Sequence, residues 1–466
     1  ATTEKKYLKW YQKLAYGSGD LASNCSYGLV SSFVLLYLTG TLGLDSAIIG
    51  SLMLASKVLD GISDVIFGTL IDRTHSKLGK ARPWMLFGQV GVSLCLFLLF
   101  AIPAGSTTMQ YIYFFIVYTA LNAVFYTANG IAYSSLVALI TKNNNERVQL
   151  GSFRFMFAVV TNIFMGFAVT GMVEKFGSGA AGWRTTALIF AIVGLVVNTI
   201  SCLAVKELPE EELSGNTSEA AEEGKAVAEE KKHGFAETAK ILVHNKYYLM
   251  ILAIYIVYYI MSNLTTGAGV FCATYYWGDG SLLGQFSMMK MFPVIIALAI
   301  APVLIKKTGS MQKVNFWGYA ISSVLGIPMI YFAMQKNLSM FLLFMFIKGV
   351  FAGTLSGSLN ALIAEASGYT TRTTGVHMDG MMYSCSSLGV KVGGGIGTAA
   401  VGWLLKLGGF VGTATVQSES AIRMIFNLYI TFPFVIGIII TVLLAFLDVE
   451  KANKKWDAEH QKEAQA

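Results

Sequence analysis

The sequence predicts an all-α protein that crosses a membrane about twelve times, and three observations support this prediction. Of the 466 residues, 13% are charged and 55% are hydrophobic, whereas a soluble chain carries roughly 25% charged residues. The mean hydropathy is +0.59. The apolar residues are also gathered into stretches of membrane-spanning length. A larger soluble core cannot explain this composition, because soluble chains divide into domains as they grow and each domain needs a polar surface.

The apolar stretches fall into two sets of six. An α-helix needs about 20 apolar residues to cross the hydrocarbon core of a bilayer, and each stretch is of about that length. The first set covers residues 14–39, 46–70, 83–104, 110–140, 148–174 and 184–206, and the second covers 247–277, 283–305, 313–334, 338–366, 378–406 and 422–447. The sequence therefore predicts twelve transmembrane helices in two six-helix halves.

An acidic stretch rich in Ser, Gly and Ala separates the two sets. It shows no apolar stripe, so we expect a mobile linker with a surface helix in its later half. The predicted organisation is an N-terminal half at 1–207, a cytoplasmic linker at 208–243, a C-terminal half at 244–448 and a cytoplasmic tail at 449–466.

The distribution of Lys and Arg predicts the orientation in the membrane. The links after the second, fourth and eighth stretches are rich in Lys and Arg, whereas links on the other face are short and nearly uncharged. By the positive-inside rule, both termini and the linker lie in the cytoplasm, and the chain is predicted to be a multi-pass protein of the cytoplasmic (inner) membrane. The net charge of +7 then belongs to these loops, and no nucleic-acid partner is expected.

Motifs of enzymes and cofactor sites are missing from the sequence. The five cysteines lie in apolar stretches without CxxC spacing, which predicts small buried hydrophobes rather than disulfides or metal ligands. The glycine-rich run at 391–397 lies within an apolar stretch, where small residues allow helices to pack closely. We therefore expect neither an enzyme nor a protein with a bound cofactor.

The second apolar stretch carries ionisable residues, which are costly inside a membrane. Lys57, Asp60 and Asp64 are spaced three and four apart, so they share one face of a helix. Two carboxylates a turn apart repel, and one Lys cannot neutralise both. Such a pair is stabilised by a proton or a small hard cation, and the hydroxyls of Ser63 and Thr127 could add oxygen ligands. The alternative is a salt-bridge network that only holds helices together.

Further ionisable and aromatic residues lie in other apolar stretches. Asp20, Arg154 and Lys391 are predicted to contact a substrate, with a structural role as the alternative. For Lys290 and Lys348 a role with substrate and a structural role are both open, because a Lys side chain can reach toward water from within a membrane. The aromatic residues best placed beside these polar groups, as surfaces on which a sugar ring could stack, are Tyr27, Tyr133 and Tyr383.

The second stretch and the link after it resemble the signature of a known family. The run KVLDGISDVIFGTLIDRTHSKLGKARPW at 57–84 is similar to that of the glycoside–pentoside–hexuronide:cation symporters, which belong to the major facilitator superfamily. The segments at 16–24, 147–158 and 365–384 resemble further segments of the same family. The two halves also echo each other faintly at 68–74 and 302–308, as parallel repeats of a major facilitator fold do. The resemblance covers nearly the whole chain in order.

The resemblance implies a role for several residues. Asp60 and Asp64 match the carboxylates of the cation site, and Ser63 and Thr127 match positions that can supply further oxygens. Asp20 and Arg154 match residues that bind sugar hydroxyls. Lys391 matches a Lys that lies between the cation and sugar sites, and Tyr27 and Ser387 match residues that line the same cavity. Tyr133, Gly130 and Ser134 complete the predicted substrate-binding set.

Two of these positions depart from the galactoside-type members of the family. Those members have a carboxylate where this chain has Gly130 and a Trp where it has Ser134, so galactoside specificity is not expected. The central charges are three acidic and three basic residues, and a bound cation would leave an excess of one positive charge. This count favours tolerance of an acidic sugar, but the sequence leaves a neutral and an anionic glycoside both open.

The predicted function is secondary active transport, in which Na⁺ or H⁺, with Li⁺ as a further option, drives symport of a sugar or glycoside by alternating access. The expected partners are the sugar, the cation and the lipid bilayer, and the protein is expected to act as a monomer. A cytoplasmic gate is predicted at Asp72, Arg73, Lys80 and Arg82. The alternatives are an exchanger or uniporter for a sugar acid or another small polar solute, an intramembrane enzyme, and a sensor that signals through the linker.

Overall fold

The computed structural model describes residues 5–209, 235–375 and 379–463, and all regular structure in these ranges is helical. The first part of the chain forms α1 (Trp10–Gly17), α2 (Gly19–Leu36), α3 (Ser46–Asp72), α4 (Arg82–Leu99), α5 (Thr107–Thr119), α6 (Thr127–Ile140), α7 (Asn144–Lys175) and α8 (Gly179–Leu203). The later part forms α9 (Phe235–His244), α10 (Lys246–Phe271), α11 (Leu282–Thr308), α12 (Met311–Met334), α13 (Leu338–Thr374), α14 (Asp379–Leu407), α15 (Glu419–Phe426), α16 (Phe432–Phe446) and α17 (Val449–Glu463).

Helices cover all twelve predicted apolar stretches, so the all-helical prediction is confirmed. Four of the stretches contain a π-helical turn, at Tyr37–Thr41, Ala120–Tyr126, Cys272–Trp277 and Asn427–Thr431. The surface helix expected late in the linker corresponds to α9, and most of the linker lies outside the described residues. All five cysteines are buried and free of disulfides, as their apolar surroundings predict.

Polar residues at the ends of the links explain where several helices begin. Asp45 accepts hydrogen bonds from the N–H groups of Ala47 and Ile48 at the start of α3, and Asn143 accepts one from Glu146 at the start of α7. These side chains satisfy N–H groups that have no partner within the first turn of a helix. Further caps of this kind are made by Ser106, Ser310, Asn337 and Ser418.

Eleven helical spans of the described residues are long and apolar enough to cross a membrane. These spans are typical of a membrane protein. α3 is not among the eleven, although its 27 residues give it a length of about 40 Å at 1.5 Å per residue.

The chain divides into two compact units, each with its own core. Unit 1 comprises residues 1–215, 264–287 and 398–429, and unit 2 comprises residues 216–263, 288–397 and 430–466. The core of unit 1 includes the fully buried side chains of Tyr16 and Leu136. In unit 2 the buried core includes Leu355, Ile254 and Ile440.

One glutamate in each unit caps a helix in the same way. Glu207, which follows α8, accepts hydrogen bonds from the backbone N–H groups of Lys80, Ala81 and Arg82 at the start of α4 (2.7–3.0 Å). Glu450, in the first turn of α17, accepts hydrogen bonds from the N–H groups at the start of α12, with 2.8 Å to the nitrogen of Met311. A carboxylate at a helix N-terminus also stabilises the helix dipole. The same kind of cap therefore occurs in both units.

Candidate functional site

Asp20 of α2 and Arg154 of α7 form an ion pair inside unit 1. Nε of Arg154 donates to Oδ2 of Asp20 at 2.6 Å, and 25% and 18% of the Arg154 and Asp20 side chains are exposed. The backbone carbonyl of Asp20 accepts from Asn24, whose side chain accepts in turn from Asn162 of α7. The guanidinium therefore keeps donors for a further ligand, because one Nε–H bond uses only one of its five N–H groups.

Tyr133 of α6 lies directly under this guanidinium. The Cζ atom of Arg154 is 4.2 Å from the centre of the Tyr133 ring. The Tyr133 hydroxyl donates to the carbonyl of Tyr16 at 2.8 Å, and the Tyr16 hydroxyl donates to the carbonyl of Tyr133 at 2.5 Å. Only 2% of Tyr133 is exposed. The reciprocal hydrogen bonds fix the ring, and the ring supports the flat face of Arg154.

Little room remains behind the Tyr133 ring. A Cβ atom added at Gly19 would lie 2.7 Å from the ring. Protein atoms therefore surround nearly all of the Tyr133 side chain. The sequence predicted Tyr133 as a ring for sugar stacking, whereas in the structure its face is against Arg154.

Asp60 of α3 is a buried carboxylate with two described partners on its oxygens. The hydroxyl of Thr127 donates to Oδ1 at 2.7 Å, and Nζ of Lys57 lies 3.6 Å from Oδ2. The π-helical turn before Thr127 brings the carbonyl of Asn122 to 2.9 Å from the same hydroxyl. The hydroxyl of Ser63 donates to the backbone carbonyl of Asp60 at 2.9 Å. Carboxylate, hydroxyl and carbonyl oxygens are thus gathered around one position, and such oxygens are ligands of hard cations.

Asp64 lies one turn further along α3 and is half-buried. Asp64 has an interaction of its own. The four-residue spacing keeps both carboxylates on the same side of the helix, as the sequence predicts.

Aromatic rings flank the Lys57 end of this group. The ring of Tyr27 stacks on that of Tyr126 with 5.6 Å between centres, and Nζ of Lys57 lies 5.9 Å from the Tyr27 ring. Tyr27, Lys57, Tyr118 and Asn122 line one cavity of unit 1. Tyr27 is half-buried, and its ring lies beside the polar groups.

The two positions that differ from galactoside-type relatives are open. A Cβ atom added at Gly130 would meet no atom within 4 Å, and Ser134 is exposed. The small residues at both positions therefore leave unfilled space on α6.

The predicted residues on α14 lie in unit 2. Tyr383, Ser387 and Lys391 are spaced four apart and share one face of the helix; the first two are exposed and Lys391 is half-buried. The opposite face packs on α10, where Cβ atoms added at Gly393 and Gly397 would lie 2.4 and 2.6 Å from backbone carbonyls. The glycine-rich run is therefore a helix-packing surface, as the sequence predicts.

The residues of the predicted cytoplasmic gate lie at the end of α3 and in the link to α4. Asp72 and Arg73 are exposed. The Arg82 guanidinium is buried and donates to the carbonyls of Cys202 and Leu78 at 3.2 and 3.3 Å. The backbone N–H of Lys80 is held by the helix cap described above. The described contacts of Arg82 thus tie the ends of α4 and α8 together, and a gating role stays a prediction.

A tight seam closes the opposite end of unit 1, between α3 and the last turns of α14. The Ser46 hydroxyl donates to the carbonyl of Gly402 at 2.9 Å, and the Trp403 indole donates to the Ser51 hydroxyl at 2.9 Å. Added Cβ atoms at Gly402 and Gly50 would lie 2.2 and 2.7 Å from backbone carbonyls across the seam. The backbones of the two helices are therefore in direct contact here.

An ion pair lies at the mouth of this seam. Nζ of Lys406 is 2.6 Å from Oδ2 of Asp45. Partial burial by itself raises the pKa of Asp45, but the Lys406 ammonium and the N–H groups of Ala47 and Ile48 together hold that pKa below its usual value. Because this pKa is depressed when the pair is formed, the pair contributes to closure above the ordinary carboxyl pKa and is lost as pH falls through the lowered value.

The sequence did not single out Tyr16, Lys406 or Gly402. The pairing of Asp45 with Lys406 joins residues far apart in the chain, so no local pattern contains it. The sequence does offer one indication of this pair. Asp45 and Lys406 both lie at ends of apolar stretches on the weakly charged face, where charged residues are few.

The family model and the relatives that match this chain are all of transport proteins. A family model described as MFS/sugar transport protein matches residues 15–451. The isoprimeverose transporter of Lactiplantibacillus pentosus is 26% identical over 99% of this chain and 93% of its own length. An inner membrane symporter of Escherichia coli K12, YicJ, is 24% identical over 92% and 90%. The glucuronide carrier protein homologue of the same strain is 23% identical over 87% and 85%.

Solved structures show a similar fold. A bacterial homologue of the human lysosomal transporter Spinster, in an inward-facing and unoccupied conformation, superposes with a TM-score of 0.66 at 13% identity, covering 96% of this chain and 97% of that one. The nucleoside transporter NupG superposes with a TM-score of 0.63 at 12% identity, covering 93% and 99%. At these identities the likeness concerns the fold alone.

Proposed function

Because this chain belongs to the family of MFS/sugar transport proteins, we propose that it carries a sugar or glycoside together with a cation, Na⁺ or H⁺, by symport. It is a multi-pass protein of the inner membrane and a transporter rather than an enzyme. The names of its relatives, an isoprimeverose transporter and a glucuronide carrier homologue, support a glycoside as the solute.

The observation that carries the proposal is the arrangement of oxygens around Asp60. Asp60 and Thr127 provide a carboxylate and a hydroxyl 2.7 Å apart, and Asp64 provides a second carboxylate one turn away. A cation bound here, with Ser63 as a further oxygen, would relieve the repulsion between the two carboxylates. Lys57, 3.6 Å from Asp60, is the group that the cation would partly replace.

The solute site in this proposal is built on the Asp20–Arg154 pair. Sugar hydroxyls accept hydrogen bonds from the guanidinium and donate hydrogen bonds to the carboxylate. Tyr27 supplies a ring face, and Gly130 and Ser134 leave room for the solute. Lys391 and Ser387 of α14, described above within unit 2, stay proposed substrate-binding residues.

Transport proceeds by alternating access in a twelve-helix protein, with α3 counted as the span beyond the eleven apolar ones and both termini in the cytoplasm. The seam between α3 and α14 is then the closed outer side, and it must separate for the solute to enter. The cytoplasmic gate in this proposal consists of Asp72, Arg73, Lys80 and Arg82. Bound cation and bound sugar favour the same conformational change, which couples their movements.

An uptake panel in sealed vesicles tests the proposal. Neutral and acidic glycosides are offered with and without an inward Na⁺ gradient, and with and without a proton gradient. We expect at least one glycoside to accumulate only when a gradient is present. Accumulation that needs no cation gradient of either kind, or exchange against internal solute alone, would support an exchanger or uniporter instead.

Opening of the seam should be sensitive to one methyl group. In Gly402→Ala the added Cβ would lie 2.2 Å from a carbonyl of α3, so the closed state should be destabilised. A cysteine placed at Thr39, which is 1% exposed, should then react faster with a membrane-impermeant thiol reagent than in the parent. Gly68→Ala is the matched control on α3, because a Cβ there meets nothing within 4 Å. Equal labelling in Gly402→Ala and Gly68→Ala would contradict the assignment of the seam.

Tyr133 should act on the solute through Arg154. Tyr133→Leu removes the ring under the guanidinium, so we expect glycoside affinity to fall by roughly tenfold, as loss of a cation–π contact of about 1–2 kcal/mol predicts. Tyr133→Phe keeps the ring and loses one hydrogen bond, so its loss should be smaller. The measurement is equilibrium binding of the transported glycoside. If both variants bind as the parent does, Tyr133 does not position Arg154.

A further inference from the structure

Residues 5–9 form a non-helical segment that the proposed cation and sugar sites do not use, and we call it the entry segment. It leads into α1, where an apolar helical span of 32 residues begins at Trp10. Such a span is about 48 Å long at 1.5 Å per residue, whereas the hydrocarbon core of a bilayer is about 30 Å thick. Trp10 therefore lies near the headgroup level of one leaflet, and the entry segment lies at the surface of the bilayer.

A buried carboxylate at the start of α7 fixes the backbone of the entry segment. The carboxylate oxygens of Glu146 accept hydrogen bonds from the N–H groups of Tyr7 and Leu8, each at 3.2 Å. Nζ of Lys13 lies 3.0 Å from Oε1 of the same carboxylate. The side chain of Asn143 donates to a backbone carbonyl of the segment at 3.1 Å. These contacts, which we call the Glu146 clamp, hold the segment against the link between α6 and α7.

The side chains that this arrangement exposes are basic and aromatic. Lys6, Lys9 and Tyr11 are exposed, and 74% of Trp10 is exposed. Nζ of Lys9 lies 5.8 Å from the centre of the Tyr11 ring. Leu8, by contrast, is buried in the core of unit 1. Trp and Tyr beside Lys are typical of the boundary between bilayer and water, where the rings lie at the level of the headgroups and the ammonium groups reach toward water.

Positive charge is in excess along this part of the chain. Residues 4–13 contain four lysines and one acidic residue, Glu4, which lies outside the described residues. One of the four lysines is paired with Glu146, whose carboxylate is buried. Two further basic residues, Lys142 and Arg147, flank the clamp in the sequence. A partner that fits this surface carries negative charge above an apolar layer, and at the surface of a bilayer an anionic phospholipid meets both conditions.

We propose that the entry segment and the first turn of α1 form a binding site for the headgroup of an anionic phospholipid. The ammonium groups of Lys6 and Lys9 bind the phosphate, and Trp10 and Tyr11 lie beside the glycerol backbone. The Glu146 clamp presents these side chains at a fixed place, so less conformational entropy is lost on binding. A zwitterionic headgroup carries its own cation and therefore binds the two lysines more weakly. The inference goes beyond the proposed function and does not depend on which solute the protein carries.

Native mass spectrometry of the purified protein tests the site by counting the phospholipids that stay bound. Dioleoyl-phosphatidylglycerol, which is anionic, and dioleoyl-phosphatidylcholine, which is zwitterionic, are each titrated into the parent and into a Lys6→Gln/Lys9→Gln variant. We expect the parent to bind phosphatidylglycerol more tightly than phosphatidylcholine. The double variant should lose roughly tenfold in phosphatidylglycerol affinity, as removal of two ammonium groups from an anionic surface predicts, and should keep its phosphatidylcholine affinity.

Three further variants separate a defined site from the net charge of the protein. Lys6→Arg/Lys9→Arg keeps the charge and should keep the affinity for phosphatidylglycerol. Lys451→Gln/Lys455→Gln is the matched control, because it removes the same charge from exposed positions of α17, where lysines and acidic residues are interspersed. It should leave the affinity at the parental value. Glu146→Gln makes the protein more positive but loosens the clamp, so it should weaken phosphatidylglycerol binding, whereas net charge alone would strengthen it.

Four results would overturn the site. Equal affinity of the parent for the two lipids would exclude an anionic headgroup as the partner. An equal loss in the Lys6→Gln/Lys9→Gln variant and in the α17 control would show that binding follows net charge. A loss in the Arg variant as large as in the Gln variant would show that the two ammonium charges do not bind the lipid. Tighter phosphatidylglycerol binding by Glu146→Gln would show that the clamp does not present the site.

Discussion

Asp60→Asn and Asp64→Asn should each abolish accumulation of the glycoside against its gradient. Asparagine keeps the size of the side chain but removes the charge that binds the cation, and Asp60 also loses its attraction to Lys57, 3.6 Å away. Glycoside binding should weaken but persist, because the Asp20–Arg154 pair is made by other helices. The measurement is uptake into vesicles under an imposed cation gradient, together with equilibrium binding.

Two controls separate a lost cation site from a lost fold. The amount of each variant in the membrane is compared with that of the parent. Ser63→Ala is the matched substitution on the same helix, because the Ser63 hydroxyl donates to a backbone carbonyl of its own helix and is at most an additional ligand. Its uptake should be reduced far less. Normal accumulation in both Asn variants would remove the cation site from α3.

Arg154→Lys should lose most of the glycoside affinity although the positive charge is kept. Guanidinium offers a fixed planar fork that can bond two hydroxyls while Nε holds Asp20 at 2.6 Å, whereas an ammonium is a single point donor. With about 1.5–3 kcal/mol for a hydrogen bond to a charged group, the expected loss of affinity is tenfold to a hundredfold. Equilibrium binding measures it.

The same position offers a control for the pair itself. Arg154→Met leaves the partly buried Asp20 carboxylate without its cation, and removing one partner of such a pair is destabilising, so this variant should be less stable as well as inactive. Arg154→Lys retains the pair and should keep the thermal stability of the parent. Near-parental affinity of the Lys variant would show that Arg154 holds helices together and does not bind the solute.

The helices could be predicted from the sequence because burying polar residues in lipid is costly, so segments that cross a membrane are recognisably apolar. Each predicted stretch is helical, and Asp45 caps a helix where a polar residue precedes an apolar run. The sequence predicts Thr127 as a further oxygen ligand beside Asp60, and the family resemblance implies the same role. The structure brings the two within hydrogen-bonding distance.

The parts that the sequence could not give depend on packing between distant segments. Tyr133 reads as a ring beside polar groups, but its position is decided by backbone carbonyls of α1, 117 residues away. The seam at Gly402 depends on how closely two backbones approach, which no spacing encodes.

Coupling between cation binding and glycoside binding is tested most directly by measuring how each ligand changes the affinity for the other. Glycoside affinity of the purified protein is measured in choline chloride, in NaCl and in LiCl, each at two pH values, and cation affinity is measured with and without glycoside. Thermodynamic linkage requires that the cation raise glycoside affinity by the same factor by which glycoside raises cation affinity, and that Asp60→Asn remove both effects. Glycoside affinity that is the same in all three salts and at both pH values would contradict cation-coupled symport.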